Sequence, residues 1–230
     1  MGMKSMKSIA ILGLALALSA CVSSEPASRG VSNDALTLAS RGTGSIPTEG
    51  PRVVAPLYTI SDIRINVPRD LRVSEANVYY PMADIVWRGD PLGDRHGQIK
   101  AIFETAAQQA TASMKVPRPA VLSVTLKRFH SVTEKTRYTI GGTHDMVFDL
   151  TVLDAATGAV IDGPREVRAD VRAAGGQAAI AEEQAGRTQK VVVTERLVQA
   201  FRTELSGTVT DPSLVARATQ TPGTQVVLTR

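Results

Sequence analysis

The sequence contains a single cysteine, three histidines and few aromatic residues, which make up 4% of the chain. The one cysteine, Cys21, excludes a disulfide within the chain and a zinc site built from several cysteines. The histidines do not combine with carboxylates at a recognisable metal-ligand spacing. We therefore expect no metal and no other cofactor.

The chain also lacks a strong excess of charge of either sign. It has 26 basic and 22 acidic residues, and removing Lys4 and Lys7 with the first twenty residues leaves 24 basic residues against 22. No stretch shows the clustered lysines and arginines that binding to nucleic acid requires. We therefore expect no nucleic-acid partner.

Catalytic motifs are missing as well. No serine lies in a G-x-S-x-G elbow, and the glycine pairs at 141–142 and 175–176 lack the lysine and hydroxyl residue of a phosphate loop. We interpret the glycine pairs as a bend and a loop, and the carboxylates of Glu182 and Glu183 as solvated. The sequence thus predicts a protein without enzymatic activity, and an anchored hydrolase is the least favoured alternative.

The first residues have the pattern of a bacterial lipoprotein signal. Lys4 and Lys7 precede an apolar run over 9–18, which has the length of a secretory h-region and is too short to span a bilayer. The run ends in a sequence that looks like a lipobox, formed by Leu18, Ser19, Ala20 and Cys21. The pattern predicts a signal peptide over 1–20 and a lipid on the Cys21 thiol. An ordinary secretory signal with an incidental cysteine is the alternative.

A lipid on Cys21 would attach the protein to a membrane. Each buried methylene contributes roughly 0.8 kcal/mol, so two or three acyl chains would hold permanently. The residue after the cysteine is Val22 rather than aspartate, a pattern that resembles Gram-negative lipoproteins sorted to the outer membrane and facing the periplasm. Residues 21–56 are rich in Ser, Gly, Pro and Thr, which predicts a flexible tether, with a short local helix weakly indicated at Ser32–Ser40.

The segment 57–205 combines strand and helix patterns. Alternation of apolar and polar residues predicts strands over 62–67, 121–127, 144–153 and 167–172, and a helical period predicts helices over 98–114 and 187–205. The apolar face of the 144–153 strand is predicted to consist of Met146, Phe148, Leu150 and Val152, and the apolar stripe of the 187–205 helix of Val191, Thr194, Leu197, Val198, Phe201 and Leu205. We expect one α+β domain, an antiparallel sheet of about four to five strands with two helices packed on one face. Residues 172–186 are expected to form a mobile loop or short helix, and 206–230 an irregular tail.

The stretch 84–97, DIVWRGDPLGDRHG, concentrates polar residues around the only tryptophan. We interpret it as a short strand that ends at Trp87, followed by a helix that begins at Asp90 and Pro91 or at Asp94. Trp87 is expected to anchor the core, and contact with a partner is the alternative. The aspartates then need no ligand.

Taken in order, these features resemble a known group. A lipobox, Trp87 followed by Asp90 and Pro91, an amphipathic helix, a three-strand meander and a terminal helix are similar to the auxiliary lipoproteins of ABC-type lipid transporters, of the paraquat-inducible protein C type. The lipopolysaccharide-assembly lipoprotein has a comparable two-layer sandwich, and uncharacterised alphaproteobacterial lipoproteins show a similar pattern. The resemblance covers about Tyr58–Leu205, while the longer tether and the tail depart from it.

The resemblance implies a non-catalytic domain that binds envelope proteins or assists lipid transfer. We therefore expect an accessory subunit of a cell-envelope assembly for lipid transport or export, with a protein of the envelope as partner. A lipoprotein that binds lipid or another hydrophobic ligand in the gap between sheet and helices is the alternative.

The lipid anchor can be tested directly. We expect Cys21→Ser to abolish labelling of the chain by a fatty-acid probe in cells, because the substitution removes the thiol that accepts the lipid. Labelling that survives the substitution would contradict the lipoprotein assignment.

Overall fold

The computed structural model of the protein describes residues 53–209 and has the predicted α+β class. The strands are β1 (Val53–Pro56), β2 (Thr59–Asn66), β3 (Ile85–Val86), β4 (Pro119–His130), β5 (Gly142–Asp154), β6 (Val160–Arg168), β7 (Val171–Ala173) and β8 (Ser206–Val209). The helices are α1 (Arg95–Thr111), α2 (Glu134–Arg137), α3 (Gln177–Gln184) and α4 (Gln189–Glu204). Across the described part of the chain, no helix is long and apolar enough to cross a membrane.

The main sheet has six strands and is mixed, so the expectation of a purely antiparallel sheet of about four to five strands is wrong. The strand order is β2-β4-β5-β6, with β3 also paired to β4 and β7 to β5. β2 and β3 run parallel to β4, whereas β5 is antiparallel to its neighbours. Parallel strands need a crossover, and α1 lies in the connection that leads to β4. The alternation of apolar and polar residues shows which face of a strand is buried, and it is the same in parallel and antiparallel strands. It could therefore not predict the parallel pairs.

β2 and β3 pair with successive parts of β4. Asn66 at the end of β2 lies opposite Thr125, and Ile85 at the start of β3 lies opposite Phe129. The chain between the two strands, residues 67–84, is therefore a long excursion beside one edge of β4. We refer to it below as the 67–84 loop.

Two of the four helices are short and were not among the two that the sequence analysis expected. α3 has eight residues and lies within 172–186, where a loop or short helix was predicted. α2 has four residues, which is too few for a helical period to show in the sequence.

A separate two-stranded sheet joins the two ends of the described segment. β1 pairs with β8 in antiparallel register, and the N–H of Leu57 donates to the carbonyl of Leu205 at 3.0 Å. Both strands lie outside the predicted bounds 57–205. The chain therefore enters the domain beside the C-terminal end of α4.

The core lies between the main sheet and the helices α1 and α4, and most predicted apolar faces are confirmed. The buried side chains include Leu122, Val124 and Leu126 of β4, Met146, Phe148, Leu150 and Val152 of β5, and Ile99, Ile102, Phe103, Ala106 and Ala110 of α1. Phe103 stands at the centre, with its ring 5.3 Å from that of Phe148 and 6.2 Å from those of Phe129 and Phe201. Edge-on contacts of this kind add to the burial of the rings.

The buried stripe of α4 begins at a different phase from the one predicted. Val191 was placed on the apolar face, but it is 38% exposed, whereas Val192 and Val193 are buried. Three consecutive valines leave the phase of a helical pattern undetermined. The later predicted members of the stripe, Leu197 and Phe201, are fully buried.

The aromatic core predicts the effect of a cavity at its centre. We expect Phe103→Ala to lower the free energy of unfolding by about 3–5 kcal/mol, because it removes a fully buried ring that contacts Phe129, Phe148 and Phe201. Leu92→Ala is the control, since Leu92 is 80% exposed and should change stability by less than about 0.5 kcal/mol. Urea unfolding followed by circular dichroism measures both values, and equal losses for the two variants would refute the assigned core.

Candidate functional site

The tryptophan of the stretch 84–97 belongs to the core. Trp87 is fully buried, its ring packs edge-on against Phe129 at 5.5 Å, and its indole N–H donates to Asp90 Oδ2 at 2.8 Å. A Cβ at Gly89 would lie 2.4 Å from the indole ring, so only glycine fits there. Trp87 has no exposed atom, which agrees with the interpretation of this residue as a core anchor. Its side chain offers no surface for direct contact with a partner.

Of the two helix starts predicted in this stretch, the structure has the one at Asp94. α1 begins at Arg95, so Asp90 and Pro91 do not start the helix. Asp90 instead joins Trp87 to Lys190 of α4, whose Nζ lies 2.8 Å from Oδ1. Asp94 takes the N-cap position, yet its carboxylate pairs with Arg69 at 2.9 Å and makes no cap hydrogen bond. Both carboxylates are thus engaged by partners that are distant in the sequence.

Ion pairs attach the 67–84 loop to the body of the domain. Glu75 accepts from Arg95 Nε and from Arg88 Nη1, both at 2.6 Å, and Arg88 Nε also donates to Glu134 at 2.8 Å. The Arg95 side chain is only 4% exposed, so its charge requires this partner. The hydrogen bond from Arg95 lowers the pKa of Glu75, which keeps the carboxylate ionised.

Hydroxyl groups fix the tip of the same loop. Thr133 Oγ1 donates to the carbonyl of Val78 at 2.8 Å, and Thr136 Oγ1 donates to that of Tyr79 at 2.7 Å. His130 Nε2 lies 2.9 Å from the carbonyl of Pro81. With these carbonyls satisfied by the body of the domain, the loop presents the rings of its two tyrosines at the surface.

A pocket with a cavity volume of about 560 Å³ lies under these tyrosines. Its rim is formed by Tyr79, Tyr80 and Ile140, which are 49%, 61% and 74% exposed. Its walls are formed by His130, Ser131, Val132, Thr136, Gly141, Gly142, Thr143, Asp145 and Asp170. We call it the tyrosine-rimmed pocket. Asp145 points away from the core face of β5, so the pocket lies on the sheet face opposite to α1 and α4.

Polar contacts order the wall of the pocket beside Tyr80. The ring stacks on His130 with centroids 4.4 Å apart, and the hydroxyl accepts from Arg128 Nη2 at 2.6 Å. Arg128 Nε also donates to Asp145 Oδ2 at 2.6 Å. The other oxygen, Asp145 Oδ1, is buried and has no hydrogen-bond partner among residues 53–209.

The two glycine pairs of the sequence meet beside this pocket. A Cβ at Gly175 would lie 2.2 Å from the backbone nitrogen of Gly141, and Gly141 has a φ of +70°. The predicted bend and loop are therefore in direct contact, and both need glycine. This contact fixes the backbone next to Ile140 on the rim.

A buried polar network lies behind the pocket and was not anticipated. Ser131 Oγ lies 2.7 Å from His144 Nδ1 and donates to Gln189 Oε1 at 2.8 Å. Ser131 thus joins His144 of β5 to Gln189, the first residue of α4. The sequence did contain a signal for this network, because His144 lies on the same apolar face of β5 as Met146 and Phe148.

Burial keeps His144 neutral. Its side chain is almost fully buried, Nε2 has no partner among the described residues, and desolvation lowers its pKa from 6.5 to about 4, helped by the charge of Arg137. Arg137 is itself buried, and its Nε lies 3.8 Å from Glu183, whose side chain is 47% exposed.

The histidines do not converge on a metal site. His130 and His144 lie on the neighbouring strands β4 and β5, but His144 faces the core and His130 faces the pocket. Among residues 53–209, no three His, Cys, Asp or Glu side chains are grouped closely enough to hold a metal ion. The predicted lipobox and Cys21 lie outside the described residues.

Comparison with protein families places the chain in a group defined by sequence. The model of the family of unknown function DUF6778 matches residues 58–221. The chain belongs to this family. The match is not to the paraquat-inducible protein C type, so the transporter role implied by that resemblance stays a proposal. Comparison with curated proteins gives no match.

Two solved structures are similar to the DUF6778 chain at low identity. One is a Xanthomonas campestris protein of the DUF330 family, with 12% identity and a TM-score of 0.38 over 76% of this chain and 93% of that one. The other is a candidate lipoprotein from Caulobacter crescentus CB15, with 16% identity and a TM-score of 0.29 over 69% of this chain and 93% of that one.

The buried histidine predicts a dependence of stability on pH. The folded state holds the pKa of His144 below its unfolded value, so the unfolded state binds more protons between pH 6.5 and about 4. The free energy of unfolding should therefore fall as the pH falls through this window, by up to about 3 kcal/mol from this group.

Urea unfolding at a series of pH values measures this contribution. His144→Gln should lose it and show a shallower decline, whereas His96→Gln, at a partly exposed histidine on α1, should follow the unsubstituted chain. Parallel curves for all three proteins would contradict the assignment to His144.

Proposed function

We propose that the protein is a periplasmic lipoprotein, held at the outer membrane by a lipid on Cys21, that acts as a non-enzymatic interaction subunit of a cell-envelope assembly. Its partner is a protein that inserts an apolar side chain into the tyrosine-rimmed pocket. The observation that carries the proposal is the exposed rim of Tyr79, Tyr80 and Ile140 over a preformed cavity.

The composition of the rim supports a protein partner. Tyrosine gives a large contact area with little conformational entropy to lose, and it is enriched at protein interfaces. Here the loop that carries both tyrosines is held by three contacts from the body of the domain, so the surface is organised before a partner arrives. An exposed apolar rim around a cavity is also unusual on a protein that works alone.

The pocket lies away from the point at which the chain enters the domain. The chain enters the domain at β1, beside Leu205 at the C-terminal end of α4. The pocket lies near the other end of α4, where Gln189 contacts Ser131. α4 has 16 residues and is about 24 Å long, so the two features are far apart. The chain thus enters the domain at the end of α4 that lies away from the rim.

The second candidate function is binding of a lipid or another hydrophobic ligand. The cavity volume of about 560 Å³ favours it, since small-molecule pockets commonly have about 300–1,000 Å³. The location differs from the one that the sequence analysis expected. The gap between sheet and helices is filled by Phe103, Phe148 and Phe201, so a ligand would enter the tyrosine-rimmed pocket instead.

The interaction function predicts the effect of a charge on the rim. We expect Ile140→Glu to reduce cross-linking to a protein partner in the native envelope about tenfold or more, because an unpaired carboxylate would be buried in the interface. Leu92→Glu is the matched control, since Leu92 is similarly exposed and lies outside the rim. Quantitative mass spectrometry after affinity purification measures the partner captured by each variant.

The same material separates the two candidate functions. Ligand binding would replace the interaction function if two results were obtained together. Lipid would be extracted from the purified Cys21→Ser chain, and no captured partner would depend on Ile140. Equal capture of the partner by both glutamate variants would refute the role of the rim.

A further inference from the structure

The two edges of the main sheet are protected to different degrees. β6, at one edge, contains Pro164, which has no N–H to offer, and its pairing with β5 is interrupted by two register shifts. β2, at the other edge, contains no proline and has eight residues. Among residues 53–209, only β4 pairs with β2. Every second residue of β2 therefore directs its N–H and C=O groups away from the sheet.

The outer surface of β2 carries a pair of opposite charges around its middle residue. Asp62 and Arg64 flank Ile63, lie on the polar face of the sheet and contact each other at 2.9 Å. The Asp62 and Arg64 side chains are 52% and 61% exposed. Ile63 and Ile65 point to the core side, where Ile65 is buried.

This arrangement is complementary to itself. If two copies of β2 pair in antiparallel fashion with Ile63 opposite Ile63, then Asp62 of each copy lies opposite Arg64 of the other. Directly opposed residues share one face of a sheet, so the four charges form two cross-strand ion pairs. The core faces of the two sheets, with their helices, then lie on the same side of the joined sheet.

Neighbouring registers lack this match. Centring the pair on Asp62 places Asp62 opposite Asp62, and centring it on Arg64 places Arg64 opposite Arg64. A slip that opposes even-numbered to odd-numbered residues brings core-facing side chains opposite polar ones. The charges thus favour one register and penalise its neighbours.

We propose that β2 is a self-association edge, at which a second copy of this chain adds its own β2 in antiparallel register centred on Ile63. The pairing joins the two six-stranded sheets through backbone hydrogen bonds and the Asp62–Arg64 ion pairs. The irregularity at Ser61 keeps the regular contact short. Edge pairing of this length buries less than about 1,200 Å², so the dimer is weak and depends on protein concentration.

Charge reversal tests the edge with the full-length chain in detergent, by sedimentation velocity over a range of concentrations. Asp62→Arg places only arginines across the interface and Arg64→Asp places only aspartates there, so each variant alone should self-associate about tenfold more weakly than the unsubstituted chain. A mixture of the two variants should associate again, because the two arginines of one chain then lie opposite the two aspartates of the other.

Arg168→Asp is the matched control. Arg168 and Glu166 form a similarly exposed pair two residues apart on β6, at the protected edge, and reversal there should leave self-association unchanged. Thermal unfolding of each variant checks that the monomer is intact, since both charges at β2 are largely exposed.

A chain that stays monomeric at every concentration would overturn the proposal, as would single reversals that associate like the unsubstituted chain. Failure of the mixture to associate would overturn the register. These results are independent of the proposed interaction function, which is measured by capture of a different protein through Ile140.

Discussion

The pairing of Arg95 with Glu75 is the constraint on which much of the structure depends. A guanidinium that is 4% exposed is tolerated only with a partner of opposite charge, and the partner comes from the 67–84 loop, twenty residues earlier in the chain. Arg95 is also the first residue of α1. The same ion pair therefore positions the start of the main helix and holds the loop that carries Tyr79 and Tyr80. Arg88 extends this network from Glu75 to Glu134 of α2.

The sequence predicted the elements of the core better than their arrangement. Alternation over β5 correctly assigned Met146, Phe148, Leu150 and Val152 to the buried face, because burial alone creates that pattern. Strand direction leaves no such pattern, so the parallel pairing of β2 with β4 was missed. Of the two expected helix starts, Asp94 is the N-cap of α1, whereas Asp90 bonds to Trp87 and to Lys190, a residue one hundred positions away.

The tyrosine-rimmed pocket could not have been predicted from local patterns. Its walls combine residues from the 67–84 loop, the ends of β4 and β5, and the turn before β5, and the contacts that shape it join residues 48 to 57 positions apart. The available signal was two adjacent tyrosines in a polar loop, in a chain with only four. Trp87 stood out in the sequence for a similar reason, because it is a rare aromatic residue. Such a residue fits a core as well as a binding surface, so the sequence did not distinguish the two.

The proposed dimer edge and the pocket do not compete for the same surface. Asn66 at the end of β2 lies opposite Thr125, whereas the pocket begins at His130, five residues further along β4 and about 16 Å away. The proposed edge and the pocket therefore use different residues of the domain. Two linked pockets bind a partner with repeated contact points more tightly than one, because the second contact forms at a high local concentration. If the proposed lipid on Cys21 holds many copies on one membrane, a weak edge and a modest pocket then reinforce each other.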